Sequence, residues 1–255
     1  MLIVAGDIGD TLVAVRAAAK ALAPKFSRVF FAFGNHDLWV RPGLEAYPDS
    51  ISKLCALCAA CDELGVDTEP AKVASGLFVV PLHSWYDDAF DEDDPHPGGL
   101  NFDKFASFPY SDAAGLMLRL NTHRLNGHQY KAETTPPGAQ PDVLISASHF
   151  LPRAELPVAP VAELRKAVGC KRLDGAIAAL RSDVHAFGHT HINTDTTCGR
   201  RYEAERGGGA LAATGADNPT RYVQHAREGG ARGLLCVFAH GGLAGREYGV
   251  DGAPL

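Results

Sequence analysis

The amino-acid sequence predicts an α/β protein in which two β-sheets pack together between layers of helices. Three observations lead there. Short apolar runs of strand length alternate with stretches of helical period along most of the chain. From Val184 onward the apolar runs follow one another without intervening helices, so the last strands complete sheets rather than begin new crossover units. Several apolar runs also stop abruptly at a polar, metal-capable side chain, and strand tips are where open α/β sheets bind ligands.

In chain order, Leu2 to Ala5 reads as the first strand. Thr11 to Ala23 reads as a helix whose Leu12, Val15, Ala19 and Leu22 recur at helical spacing, ended by Pro24. Arg28 to Phe33 is the second strand. A helix then runs from an Asp49-Ser50 start to a Leu64-Gly65 stop. Leu77 to Leu82 is a strand that delivers His83, Trp85 and Tyr86 to an edge. Residues 87 to 110, with Asp87-Asp88 and Asp91-Glu92-Asp93-Asp94, read as an insertion: a solvated acidic loop, or a lid over a site. Ser111 to Leu125 and about Leu173 to Leu180 are helices, and 134 to 140 is a loop. Val143 to Ser148 and Val184 to Phe187 are strands. Residues 199 to 219 read as a second insertion, inside a hairpin between Thr194–Thr197 and Thr220–His225, and Leu234 to Ala239 closes a sheet.

At 255 residues, with 46% apolar and 21% charged side chains, the chain is expected to be one soluble globular domain, 1–255. No 18-residue apolar span and no secretory leader pattern is present, so an intracellular, cytoplasmic setting is the expectation, without a membrane. A net charge of -6 disfavours nucleic acid as a general partner. Cys55, Cys58 and Cys61 invite a zinc or iron-sulfur interpretation, but their spacing on a helix with Ile51, Leu54 and Leu57 suits small buried thiols better.

The chain is organised around Phe30 to Leu38, where an apolar run ends at Gly34-Asn35-His36-Asp37. Alone, those residues read as a turn with an Asx hydrogen bond. They are not alone: Asp7 follows Leu2 to Gly6, His149 follows Val143 to Ser148, and His189 and His191 follow Val184 to Gly188. If these strands are neighbours, the endings meet on one rim.

Gly6-Asp7, Gly34-Asn35-His36-Asp37, a lone His149 after a strand and Gly188-His189-Thr190-His191 resemble, in order and character, the calcineurin-like metallophosphoesterases, over residues 1 to about 198. Within that superfamily Trp39, Pro81 to Tyr86, Ser148 to Arg153 and Arg221 to Gln224 look like a group found in plants and algae. The resemblance implies a four-layer αββα sandwich of two mixed sheets and a hydrolase of phosphomonoesters or phosphodiesters, whose two divalent ions (Mn, Fe, Zn or Mg) lie roughly 3.5 to 4 Å apart. It implies Asp7 as the bridging carboxylate, Asn35, His149 and His189 as further ligands of one ion, and His191 on the other. His36 would be the general acid, with Asp37 orienting its ring or, alternatively, capping the turn. Arg153 is a weak candidate for phosphate, against the plainer possibility of an exposed loop arginine. For His189 and His191 to reach one site, the backbone must turn, which Gly188 permits.

The departures narrow this. The family's earlier strand ending Asp-X-His has no counterpart before Gly6, so an N-terminally truncated form is the expectation, with a neighbouring sheet edge exposed and full activity only in a longer chain. The alternatives are a single ion, or an impaired or non-catalytic scaffold. Protein Ser/Thr phosphatases would carry Arg where Phe33 stands and Arg-Gly where Thr11-Leu12 stand; purple acid phosphatases would carry Tyr at Asp10. Phosphorylated small molecules or nucleotides remain as substrates.

Overall fold

The computed structural model describes residues 1–91, 103–126, 142–158, 162–198, 220–224 and 235–236. Its elements run β1 (Leu2–Val4), α1 (Leu12–Leu22), β2 (Val29–Phe31), α2 (Asn35–Leu38), α3 (Ser50–Glu63), β3 (Val66–Asp67), β4 (Ala71–Ala74), β5 (Leu77–Pro81), α4 (Ala113–Leu125), β6 (Val143–Ala147), α5 (Arg172–Ala179), β7 (Val184–Ala186), β8 (Thr194–Cys198), β9 (Thr220–Gln224) and β10 (Leu235–Cys236). Helix starts follow the side chains that satisfy their first free N–H groups. Thr11 caps α1 by accepting from Ala14 N, Asp49 caps α3 at Ser52 N, and Asp112 caps α4 at Gly115 N. Helix α3 ends where Gly65 takes φ +69.

Two mixed sheets result, ordered β10-β1-β2-β3 and β4-β5-β6-β7-β9-β8. β1, β2 and β3 are parallel, as are β5, β6, β7 and β9, so their carboxyl ends share a direction within each sheet. Alternation along β1 and β2 explains the layering. Ile3, Ala5, Phe30 and Ala32 meet Val79, Ile145, Ala147, Ala186 and Val223 of the other sheet. Their neighbours Leu2, Val4, Val29 and Phe31 turn the other way, onto Val15, Ala19, Leu54 and Leu57 of α1 and α3. Leu173 and Ile177 of α5 cover Val80 and Leu144 on the far face of the larger sheet. Each fully buried side chain of this size contributes roughly 1.5–3 kcal/mol, and Phe30, central between the sheets, is one.

Four expectations change. The edge of β1 opposite β2 is paired antiparallel with β10, Ile3 against Cys236, so it is not exposed. Within the 87–110 insertion, the described residues 103–108 are docked rather than solvated: Val40 N–H donates to Phe105 O, and Ser50 and Ser107 exchange hydrogen bonds. Along α3, Cys61 is buried and Cys58 half-buried, but Cys55 is exposed, because a three-residue step drifts around the helix. Arg153 is buried rather than exposed. Residues 199–219, His96, His128, His225 and His240 lie outside the described residues.

Candidate metal centre

Because β1, β2, β6 and β7 all end on one side of the packed sheets, the residues that follow them converge. His149, after β6, is fully buried. Its Nδ1–H donates to the Ala5 carbonyl at 2.6 Å. A carbonyl only accepts, so Nδ1 carries the hydrogen, and Nε2 is the nitrogen that faces inward, free to bind a cation or a proton. That nitrogen lies 3.3 Å from Asp7 Oδ2, 3.1 Å from Asn35 Oδ1 and 3.1 Å from His189 Nδ1. Four electron-pair donors thus face one another.

Such a cluster is unfavourable unless a cation or a proton sits among them. Burial opposes ionisation of Asp7, but His149, His189 and His36 outweigh it and hold its carboxyl well below the usual range. Burial also disfavours a charged His149, yet Asp7 raises its proton affinity. Burial and His149 push His189 down to about 3. The centre therefore attracts one positive charge. Donors bonded to a common ion at about 2.0–2.2 Å would be spaced near 3 Å from one another, which fits the separations around His149 Nε2. Among the described residues, Asp7, His149 and His189 form the one group of His, Cys, Asp or Glu side chains that can hold a metal ion.

The local backbone is built for this approach. A Cβ on Gly34 would fall 2.2 Å from Asp7 Oδ1, and one on Gly6 would fall 2.4 Å from His149 Nδ1. Gly34 itself is extended (φ -102), so its role is space rather than a special turn. The turn expected at Gly188 is carried instead by the histidines: His189 has φ +72 and His191 φ +56, and Asp7 has φ +58. Left-handed backbone at non-glycine residues is costly and is held by its surroundings. Gly188 N–H donates to His149 O, and Thr190 Oγ1 donates to Gln224 Oε1, fixing that turn.

His36 stands beside the centre, its backbone N–H donating to Asp7 Oδ1 at 2.9 Å. Its ring is oriented by Asp10, not Asp37: Nδ1 lies 2.9 Å from Asp10 Oδ1. Arg41 pairs with the other Asp10 oxygen at 2.6 Å, and the Trp39 ring lies 3.7 Å from the imidazole centroid to centroid. Asp37 is fully buried and accepts from the backbone N–H groups of Asp7, Ile8, Gly9 and Gly34, at 2.8 to 3.1 Å. It is the turn cap. Burial and the Asp7 charge raise its pKa to about 6, against those hydrogen bonds.

His191 is exposed and stands outside the Asp7-His149-His189 group. Arg153 forms ion pairs with Asp174 and Glu155 and lies over the Tyr222 ring. His83 is packed against Asn121 through its backbone, and His185 is buried between two serines. Sequence reasoning missed Asp10, Asp103 and Lys53. Asp103 accepts from Asn35 Nδ2 at 2.9 Å and Trp39 Nε1 at 2.5 Å. Lys53, fully buried, donates to the Asp10 and Trp39 carbonyls and pairs with Glu45. Asp10 stands three residues after Asp7, close enough in sequence to be a usable signal; Asp103 and Lys53 offered none.

No family model and no curated protein sequence matches this chain. Among solved structures, the chain superposes on the crystal structure of phosphopantetheinyl hydrolase (PptH) from Mycobacterium tuberculosis with a TM-score of 0.63 and 18% identity, over 94% of this chain and 87% of that one. A second structure matches at TM-score 0.43 and 14% identity, over 84% and 63%, too distant to bear on the fold. At this identity the first likeness establishes a shared fold, a mixed α/β arrangement of two sheets flanked by helices. Among the described residues no helix is long and apolar enough to cross a membrane.

Proposed function

We propose that this chain is a metal-dependent phosphoesterase. The observation that carries the proposal is the inward-facing Nε2 of His149, with Asp7, Asn35 and His189 donors around it and its other nitrogen tied to Ala5. A carboxylate, an amide oxygen and two imidazoles suit a borderline divalent ion, Mn, Fe or Zn, better than Mg. When bound, such an ion supplies charge neutralisation at a phosphoryl oxygen and a water of lowered pKa. Asp7, Asn35, His149 and His189 are the residues that would hold it.

His36 acts as the general acid in this scheme. Asp10 holds its Nδ1, leaving Nε2 to pass a proton to the departing alkoxide, a contribution typically of 10²–10⁴ in rate. An open cleft of about 510 Å³ lies on the far side of Asp103, lined by Trp85, Tyr86, Phe108 and Tyr110 together with Asp87, Asp88, Asp103 and Asp112, and by none of the metal-centre residues. Its four carboxylates do not suit a phosphate, so the substrate class, a phosphorylated small molecule, monoester, diester or nucleotide rather than nucleic acid, rests on the sequence resemblance and the net charge of -6. The described part of the 87–110 segment lines that cleft. The fold shared with phosphopantetheinyl hydrolase agrees with a hydrolytic role. We take residues 1–255 as one cytoplasmic domain.

The exposed position of His191, away from the other donors, favours a second possibility: one ion only, with impaired or no turnover, the chain serving as a metal-binding scaffold. Hydrolysis of an aryl phosphomonoester and an aryl phosphodiester, with Mn²⁺, Fe²⁺, Zn²⁺ and Mg²⁺ added in turn, separates the two. Turnover of either substrate that is lost on chelation supports the enzyme. Metal binding with no turnover of either supports the scaffold.

A further inference from the structure

We infer that Asp103 is a positioning residue that sets which face of the Asn35 amide looks into the metal centre. The inference rests on the metal-centre assignment above and adds the part played by a segment remote in sequence. An asparagine offers two unlike ends, an oxygen that can bind a cation and an NH₂ that cannot. Which end faces the centre is decided by what the other end meets. Here it meets Asp103 Oδ1, 2.9 Å from Asn35 Nδ2 and 68 residues away in sequence. A carboxylate oxygen only accepts, so the atom facing it is the NH₂. The amide oxygen is thereby turned to the opposite side, 3.1 Å from His149 Nε2.

Asp103 is itself held. The Trp39 indole N–H donates to the same Oδ1 at 2.5 Å, and burial together with the nearby Asp103 charge raises the pKa of the Tyr86 hydroxyl. The side chain is 6% exposed. The segment that carries it is anchored on both sides of the rim, through Phe105 O to Val40 N and through Ser107 to Ser50. Asp103 is therefore a fixed acceptor, not a mobile surface carboxylate, and Asn35 has one favourable orientation. With an amide at position 103 the choice would be lost, because Asn35 could then present either end.

The experiment is a reciprocal exchange read by Mn²⁺ binding in calorimetry, with thermal melting alongside, on the full chain. Asp103→Asn is expected to weaken Mn²⁺ binding 10- to 100-fold, the usual cost of removing a partner that orients a ligand. Asn35→Asp alone places two carboxylates against each other and is expected to weaken binding and lower the melting temperature. The double variant Asn35→Asp/Asp103→Asn restores one acceptor facing one NH₂, with an oxygen directed inward, and is expected to return affinity to within about threefold of wild type. If Asp103→Asn does not fold, recovery of fold and binding in the double variant supports the inference equally. Unchanged affinity in a folded Asp103→Asn, or a double variant no better than its parents, overturns it while leaving the metal centre standing. A wild-type chain that binds no Mn²⁺ overturns both.

Discussion

His149 and His185 are both fully buried, on or just past adjacent parallel strands, yet their surroundings point to opposite uses. Around His185 the two ring nitrogens meet Ser146 Oγ at 2.7 Å and Ser148 Oγ at 3.0 Å, and Ser182 extends the network. A hydroxyl both donates and accepts, so either neutral tautomer of His185 is satisfied. Around His149 one nitrogen is fixed by a carbonyl, while the other faces a carboxylate, an amide oxygen and an imidazole nitrogen. Burial does not distinguish a structural histidine from a ligand. What the second nitrogen finds does.

The largest effect that this contrast predicts is at His149. Replacement by Ala should weaken Mn²⁺ binding by more than 100-fold and remove phosphoesterase turnover, measured by calorimetry and by aryl phosphate hydrolysis. Replacement of His185 by Gln should leave metal affinity within about threefold while lowering thermal stability, since it disturbs a satisfied buried network of typical hydrogen-bond strength. If the two variants lose metal equally, the contrast is broken.

Next in size, His36→Ala should lower kcat by 10²–10⁴ with Mn²⁺ affinity little changed. Asp10→Asn should follow it in direction with a smaller loss, because it acts only through the ring of His36. A loss from Asp37→Asn that appears as a lower melting temperature, rather than as a change in kcat alone, would mark Asp37 as the turn cap that its four backbone N–H partners indicate.

The last prediction concerns pH. Burial pushes His185 from 6.5 down to about 3. Between those values the unfolded chain takes up a proton at this residue and the folded one does not, so His185 costs stability as pH falls through that window. Urea unfolding of the metal-free protein should give a stability gap between wild type and His185→Gln that is widest above pH 6.5 and closes toward pH 3. A gap that widens on acidification contradicts the burial of a neutral ring.

The contrast also explains what was legible beforehand. Asp7, Asn35, His149 and His189 could be read because each follows an apolar run, and parallel strands bring such endings to one rim. Asp10 could be noticed near Asp7, but its link to His36 exists only once Ile3 lies beside Phe30 in register. Asp103 stands between Phe102 and Lys104, past the acidic run that ends at Asp94, and no motif marks it. Its role arises from docking of its segment against Trp39 and Ser50, a tertiary fact without a local signature. Arg153 was misread for the same reason: its partners Asp174 and Tyr222 are 21 and 69 residues away by number, brought close by the sheet. His191 shares the spacing of a ligand but not its burial.

The most direct test of the central claim is pulsed electron paramagnetic resonance of the Mn²⁺-loaded wild-type chain. Nitrogen couplings from two imidazoles are predicted, one of them lost in His149→Ala, the other in His189→Ala, and both retained in His185→Gln. A bound Mn²⁺ with no imidazole nitrogen coupling would contradict the account.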